Sequence, residues 1–260
     1  MIKILKYSFY DLMRSRWSYI YLLFYLALGL VLLFLNSSLS KAVITLMNIV
    51  IVLTPMIGTI FGVMYFYSSR EFTELLLAQP IKRRTIFLGQ YFGISSSLSL
   101  SLVLGLGTPF VIYGITNSSE IWNFMILLVV GTFLTFIFVA LAMNISLRNE
   151  NRIKGFGYAI LLWLFMAVIY DGIFMTLLLV FDDYPLDQFT VLASMLNPID
   201  LSRILVLMKL DLSALMGYTG AVFRRFFGTG LGLFVSMFVL IVWAVVPTLT
   251  MMRMASRKDF

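Results

Sequence analysis

Six long apolar runs, separated by more polar segments, dominate the pattern along this chain of 260 residues. A helix needs about 20 apolar residues to cross the hydrocarbon core of a bilayer, and each run comes close to that length or exceeds it. The pattern predicts an all-α integral membrane protein that forms a single transmembrane domain over residues 1–260. The six transmembrane helices are expected at residues 17–35, 43–67, 87–115, 121–146, 155–181 and 229–252.

Lysine and arginine concentrate on one side of these spans, which predicts the orientation of the chain because cytoplasmic loops retain basic residues. The richer side comprises the N-terminal segment, the loops after spans 2 and 4, and the C-terminus: Lys3, Lys6, Arg14, Arg16, Arg70, Lys82, Arg83, Arg84, Arg148, Arg152, Lys154, Arg253, Arg257 and Lys258. The other side carries Lys41, Arg203, Lys209, Arg224 and Arg225. Both termini are therefore expected in the cytoplasm, with the chain multi-pass in a bacterial cytoplasmic (inner) membrane.

Two further segments have apolar residues at helical spacing. Residues 1–16 place Ile2, Leu5 and Phe9 on one face with lysines between them, which favours an N-terminal helix lying in the cytoplasmic interface. The alternative is a simple helical extension of the first span. Residues 182–228 are too long for a plain connection and are expected to form one or more amphipathic helices on the periplasmic side, with a helix starting after the turn at NPID.

Charged residues are concentrated in the loop at residues 68–86, although the chain as a whole contains few of them. Ser68 and Glu71 have the spacing of a capping box, and Pro80 should end the helix that follows. Phe72 and Leu75, together with Leu76, would then form an apolar ridge on a short cytoplasmic helix. Such a ridge favours docking on a partner protein. The alternative is an ordinary interfacial loop whose leucines dip into lipid.

Composition narrows the classes of function. Hydrophobic residues make up 61% of the chain and charged residues 12%, against about half and about a quarter in soluble domains. The net charge of +7 is explained by the basic cytoplasmic side, so no nucleic-acid partner is expected. The absence of cysteine and histidine excludes disulfides, thiol nucleophiles and imidazole ligands for copper or zinc. No cofactor or metal is therefore expected in this chain.

Catalytic chemistry is scarce as well. The chain has no G-x-x-x-x-G-K-[ST] loop, so it cannot be an ATP-hydrolysing subunit, and no span combines an acid, a base and a nucleophile. Asp171 is the one acid well inside a predicted span and is a candidate intramembrane polar site, because a carboxylate there is costly. No base inside a span is expected to pair with it. A structural role near the outer membrane surface is the alternative.

Three stretches carry a resemblance to a known family: REFTELLLAQPIKRRTIFLGQYFG, NPIDLSRILVLMKLDLSALMGYTGAVFRRFFG and AVVPTLTMMRM. Together with six spans they resemble ABC-2 type permeases, and within that family the permeases that serve maturation of the copper sites in nitrous oxide reductase during denitrification. The resemblance implies that the loop after span 2 is a coupling helix that docks on a cytoplasmic ATPase. The implied coupling residues are Arg70, Glu71, Phe72, Glu74, Leu75 and Leu76.

The resemblance also implies partners. The chain would form a homodimer in membrane lipid and bind two cytoplasmic NosF-like subunits, which would hold ATP and magnesium. A periplasmic β-helical NosD-like protein would sit on the outer face and could bring in a copper chaperone, so copper would be handled by partner proteins. The expected contacts with that periplasmic partner are Arg203, Lys209, Arg224 and Arg225.

Two other functions remain open from the sequence. One is an ABC-2 exporter of a lipid, a drug or an ion unrelated to copper. The other is an ion-coupled secondary carrier that uses Asp171, although the chain shows no internal repeat.

Overall fold

The computed structural model describes residues 1–36, 38–181, 187–209 and 230–257, which are helical almost throughout. The helices are α1 (Ile2–Arg14), α2 (Arg16–Leu35), α3 (Leu39–Ser68), α4 (Arg70–Leu77), α5 (Arg83–Ile112), a short 3-10 helix (Ile115–Asn117), α6 (Ile121–Arg148), α7 (Arg152–Leu164), a π-helical segment (Phe165–Ile169), α8 (Tyr170–Val180), α9 (Asp187–Met195), α10 (Pro198–Lys209) and α11 (Gly230–Arg257).

In the described part of the chain, six helices are long and apolar enough to cross a membrane, as the sequence predicts. They are α2, α3, α5, α6, the continuous α7–π–α8 rod and α11, here called spans 1 to 6. Span 3 ends at Ile112, earlier than expected. The chain turns there because Gly114 adopts a left-handed conformation with φ of 87°, which a glycine tolerates without a steric penalty.

Small residues let the central spans approach closely. Gly62 of α3 lies against α6, where a Cβ atom at this position would be 2.9 Å from the Cβ of Ala142. Gly105 of α5 faces Tyr25 of α2 in the same way: a Cβ atom at Gly105 would lie 2.8 Å from the Cβ of Tyr25. Backbones packed this closely give the dispersion contacts that hold transmembrane helices together, because lipid provides no hydrophobic driving force between them.

The π-helical segment interrupts span 5 where α10 packs against it. A π turn leaves a backbone carbonyl without its usual helical donor. The carbonyl of Met166 accepts a hydrogen bond from Asn197 Nδ2 at 2.7 Å, which ties the segment to the residue just before α10. A side chain next to α10 therefore satisfies a backbone carbonyl in the π-helical segment.

Helices α9 and α10 form a pair bent by 116° between spans 5 and 6. Asn197 and Pro198 make the expected turn: the Asn197 side chain accepts from the Ile199 amide, and proline suits the first helical position. α10 is buried on much of its surface against α3, α6 and α11, so it packs into the bundle. The position of the pair relative to the bilayer surface stays a prediction.

Candidate functional site

Helix α4 begins one residue later than the capping-box spacing predicts. α3 continues through Ser68, whose hydroxyl donates to the carbonyl of Tyr65 at 3.2 Å, and the hydroxyl of Ser69 donates to the same carbonyl at 2.8 Å. Neither serine caps α4 with its side chain, so the prediction of a capping box formed by Ser68 and Glu71 was wrong. The predicted end is confirmed, because α4 stops at Leu77, ahead of Pro80.

The inner face of α4 is fixed to the bundle by two contacts. Gln90 of α5 donates from Nε2 to the hydroxyl of Thr73 at 2.8 Å, and both side chains are buried. The ring of Phe72 stacks on the ring of Tyr7 in α1, with centroids 4.4 Å apart. Helix α4 is thus attached to two separate elements of the bundle.

The outward face of α4 comprises Arg70, Glu71, Glu74 and Leu75, which are all exposed. Arg70 and Glu74 form an ion pair one turn apart at 3.0 Å, and Leu75 is 68% exposed. These four side chains share one side because positions i, i+1, i+4 and i+5 fall within about half of a helical circumference.

The six expected coupling residues therefore divide between the two faces. Arg70, Glu71, Glu74 and Leu75 form the outward face, whereas Phe72 lies against α1 and Leu76 is half-buried. The sequence did not indicate that Thr73 and Gln90 fix α4 to the bundle.

Helix α1 packs along the first half of span 3. Its close approach depends on Gly89 and Gly93: a Cβ atom would lie 2.8 Å from Ile4 Cγ2 at the first position and 2.7 Å from Ser8 Cβ at the second. The backbone is extended at Ser15 (ψ 144°), so α1 is a helix of its own and not an extension of span 1. Its placement in the membrane interface stays a prediction.

A second polar cluster lies at the other end of the bundle, around Asp171 in α8. Arg203 of α10 donates from Nη1 to Asp171 Oδ2 at 2.8 Å and lies 3.7 Å from Asp200 Oδ1. Asn197 donates to Asp200 Oδ2 at 2.9 Å. The partner of Asp171 thus comes from α10, outside the six spans, where the expectation about bases inside a span does not apply.

Of the residues expected to contact a periplasmic partner, only Arg203 has a described side chain. It is 25% exposed and is directed at Asp171, which is 30% exposed. Arg224 and Arg225 and the side chain of Lys209 lie outside the described residues. A contact between these four residues and a partner stays a prediction.

Two further bonds hold the bent pair between spans 5 and 6. The Tyr170 hydroxyl donates to the carbonyl of Ala193 at 2.6 Å, and Trp243 Nε1 donates to the carbonyl of Met195 at 3.0 Å. Both carbonyls belong to the last turn of α9, where the acceptors of a helix lack their usual donors four residues on. Side chains of spans 5 and 6 thus donate hydrogen bonds to the C-terminal carbonyls of α9.

Comparison with known proteins agrees with this architecture. The profile of the family described as "ABC-2 family transporter protein" matches residues 33–260. A protein of Stutzerimonas stutzeri named "Probable ABC transporter permease protein NosY" is 24% identical over 136 residues, which covers 50% of this chain and 49% of that protein. A Pseudomonas aeruginosa protein of the same name is 25% identical over 189 residues, covering 70% and 68%. The match thus spans about half the length of the first relative.

Proposed function

Since this chain belongs to the ABC-2 family of transporter proteins, as a multi-pass membrane subunit, we propose that it couples ATP hydrolysis by a cytoplasmic partner to conformational change at its outer face. The observation that carries this proposal is the two-sided construction of α4, which is fixed to the bundle through one face and open on the other. ATP and magnesium belong to the partner in this account, because the chain lacks a phosphate-binding loop.

Docking is assigned to the outward face of α4. Its charges give a partner specific pairing positions, and Leu75 supplies an apolar anchor between them. The proposed partner is a pair of NosF-like ATP-binding subunits, one for each copy of this chain. Movement of α4 then reaches α1 through Phe72 and α5 through Thr73, because both contacts connect α4 to helices that extend along the bundle.

At the outer end of the bundle, we assign transmission of the movement to the Asp171–Arg203 pair. It joins span 5 to α10, so a shift of the span pulls on the segment that leads into residues 210–229. We assign Arg203, Lys209, Arg224 and Arg225 to contact with a periplasmic β-helical, NosD-like partner. The pairing also disfavours an ion-coupled carrier, since Arg203 already occupies Asp171 Oδ2 at 2.8 Å, where a transported ion would have to bind.

A second copy of this chain is the proposed cover for span 5. Only 11% of the most apolar window of Arg152–Val180 is buried within the chain, against 61% for spans 3 and 4. Gly157 and Gly172 face open space, where a neighbouring helix could approach closely. A homodimer would bury this surface and provide two α4 helices for two ATPase subunits.

The biological role proposed for this complex is maturation of the copper sites in nitrous oxide reductase. Copper is assigned to partner proteins, including a chaperone that reaches the complex through the periplasmic subunit, because this chain has no cysteine or histidine. Stoichiometric, tight Cu(I) binding by the purified chain would contradict that division of roles.

Deletion of the gene for this chain in a host that respires nitrous oxide tests this role. The reductase from the deletion strain is expected to lack copper, and a plasmid carrying the wild-type chain is expected to restore it. Metal analysis of the purified reductase gives the result. A reductase with its full copper content in the deletion strain would instead favour an exporter unrelated to copper.

The Phe72–Tyr7 stack is expected to transmit motion and not to hold the partner. Phe72→Ala removes the stack and leaves the outward face of α4 unchanged, so ATPase subunits should still co-purify while the outer response to ATP is lost. A pair of fluorophores on cysteines placed at the exposed positions Ile2 and Leu196 would measure that response, since the chain has no other cysteine. Tyr7→Ala should give the same result. Loss of the ATPase in the Phe72→Ala variant alone would make Phe72 a docking residue.

A further inference from the structure

An apolar cleft of about 530 Å³ opens on the side of the bundle between α5, α6 and α11. This volume falls in the range of about 300–1,000 Å³ that small-molecule sites occupy. Its walls include Leu88, Phe92, Phe133, Phe136, Val245 and Leu249. No helix in the described part of the chain fills it, and the cleft belongs neither to the α4 site nor to the Asp171 cluster.

The polar atoms in the walls of the cleft are already satisfied. Thr132 and Thr248 donate from their hydroxyls to carbonyls of their own helices, those of Leu128 at 2.9 Å and Ala244 at 2.7 Å. The Tyr91 hydroxyl donates to the carbonyl of Phe136 at 3.2 Å. The threonines therefore have no hydroxyl proton to offer an occupant, and the walls suit a hydrocarbon chain without polar groups.

Arginines stand at the end of the cleft that the charge distribution assigns to the cytoplasm. Arg84 lies one helical turn before Leu88 on α5, and Arg253 lies one turn after Leu249 on α11, so each shares a helix face with a lining residue. Both are exposed. Arg148, at the end of α6, approaches α11 with its Nε 3.2 Å from the sulfur of Met254.

All three helices that line the cleft thus bear a cation at the same end. The lining residues of α11 run from Ala244 to Met252, which is about 12 Å of helix and close to the depth of one leaflet of a hydrocarbon core of about 30 Å. Basic side chains at the cytoplasmic end of a cleft between transmembrane helices are the usual arrangement for binding an anionic headgroup.

We propose that this cleft is a binding site for an anionic glycerophospholipid of the cytoplasmic leaflet, with an acyl chain in the cleft and its phosphate on Arg84 and Arg253. A second copy of this chain is a less suitable occupant, because two copies would bring arginines of like charge together at the rim. A zwitterionic lipid fits the walls equally well but gains less from the arginines.

Mass spectrometry of the intact chain, released from nanodiscs of equal phosphatidylglycerol and phosphatidylcholine, tests the proposal. The wild type is expected to retain phosphatidylglycerol, and the Arg84→Gln, Arg253→Gln double variant should bind it about 25-fold more weakly, since each cation near an anionic headgroup contributes on the order of a factor of five. Arg16→Gln is the matched control. It removes an exposed arginine at the same end of α2, which does not line the cleft.

A variant that fills the cleft separates the two parts of the site. Ala244→Phe adds a ring to the wall and leaves the arginines in place, so bound phosphatidylglycerol should be lost while the thermal midpoint is retained. Equal retention of the two lipids by the wild type would overturn the proposal. So would unchanged lipid binding in the double arginine variant, or a disulfide between two copies through a single cysteine placed at Leu249.

Discussion

Replacing Arg203 with glutamine is expected to lower the thermal midpoint of the purified chain by several degrees. The change leaves the carboxylate of Asp171 without its partner at 2.8 Å, in a position that is 30% exposed. An ionised group left unpaired away from bulk water costs about 1–3 kcal/mol, and the partial exposure places this one toward the lower end. Differential scanning fluorimetry in one detergent compares the variants.

The double variant Asp171→Asn, Arg203→Gln should recover part of that loss, because it removes both charges of the closer pair, whereas Asp200, 3.7 Å from Arg203, still loses its cation. Arg70→Gln is the matched control: it breaks an arginine–carboxylate pair of 3.0 Å, but one whose side chains are both 48% exposed. Exposed pairs contribute about 0–1 kcal/mol, so this midpoint should scarcely move. Equal shifts for Arg203→Gln and Arg70→Gln would show that the outer pair has no special role.

Replacing Gly93 with alanine is expected to displace α1 from span 3. The added Cβ atom would lie 2.7 Å from Ser8 Cβ and 2.9 Å from the carbonyl oxygen of Leu5, and backbone cannot yield as a side chain does. Overpacking of this kind costs about 1–3 kcal/mol. Because α1 also supports Phe72 through Tyr7, the coupled ATPase activity of the assembled complex should fall together with the thermal midpoint.

Gly107 of the same helix supplies the control for this substitution. A Cβ atom there meets nothing within 4 Å, so Gly107→Ala changes the same residue type in α5 without a clash. Its midpoint and its activity should match those of the wild type. If Gly107→Ala and Gly93→Ala behave alike, then the packing of α1 on span 3 does not control the position of α4.

The parts of the fold that follow local rules could be predicted from the sequence. The spans follow from the length of the apolar runs, and the end of α4 follows from the restriction that Pro80 places on the residue before it. Its start was misplaced by one residue because the Ser68 hydroxyl, which the capping-box spacing assigns to α4, bonds instead to the carbonyl of Tyr65.

Long-range pairing could not be predicted in the same way. Asp171 and Arg203 lie in separate segments, and only the bend between α9 and α10 brings them together. The division of the α4 residues into two faces depends likewise on where α1 packs, which is set by Gly89 and Gly93 meeting Ile4 and Ser8. One sequence signal was available, since glycines four residues apart on a membrane helix often mark a close helix contact.

Co-purification of the chain with its ATPase tests most directly whether α4 is the docking element. Wild-type chain should bring down the ATPase, and the Glu71→Lys, Glu74→Lys double variant should lose it, because the reversals invert the charge of the outward face and leave Thr73 and Phe72 on the inner face unchanged. Glu150→Lys, a reversal on an exposed loop at the same end of the bundle, should retain it. Retention by the double variant, or loss in all three, would contradict the account.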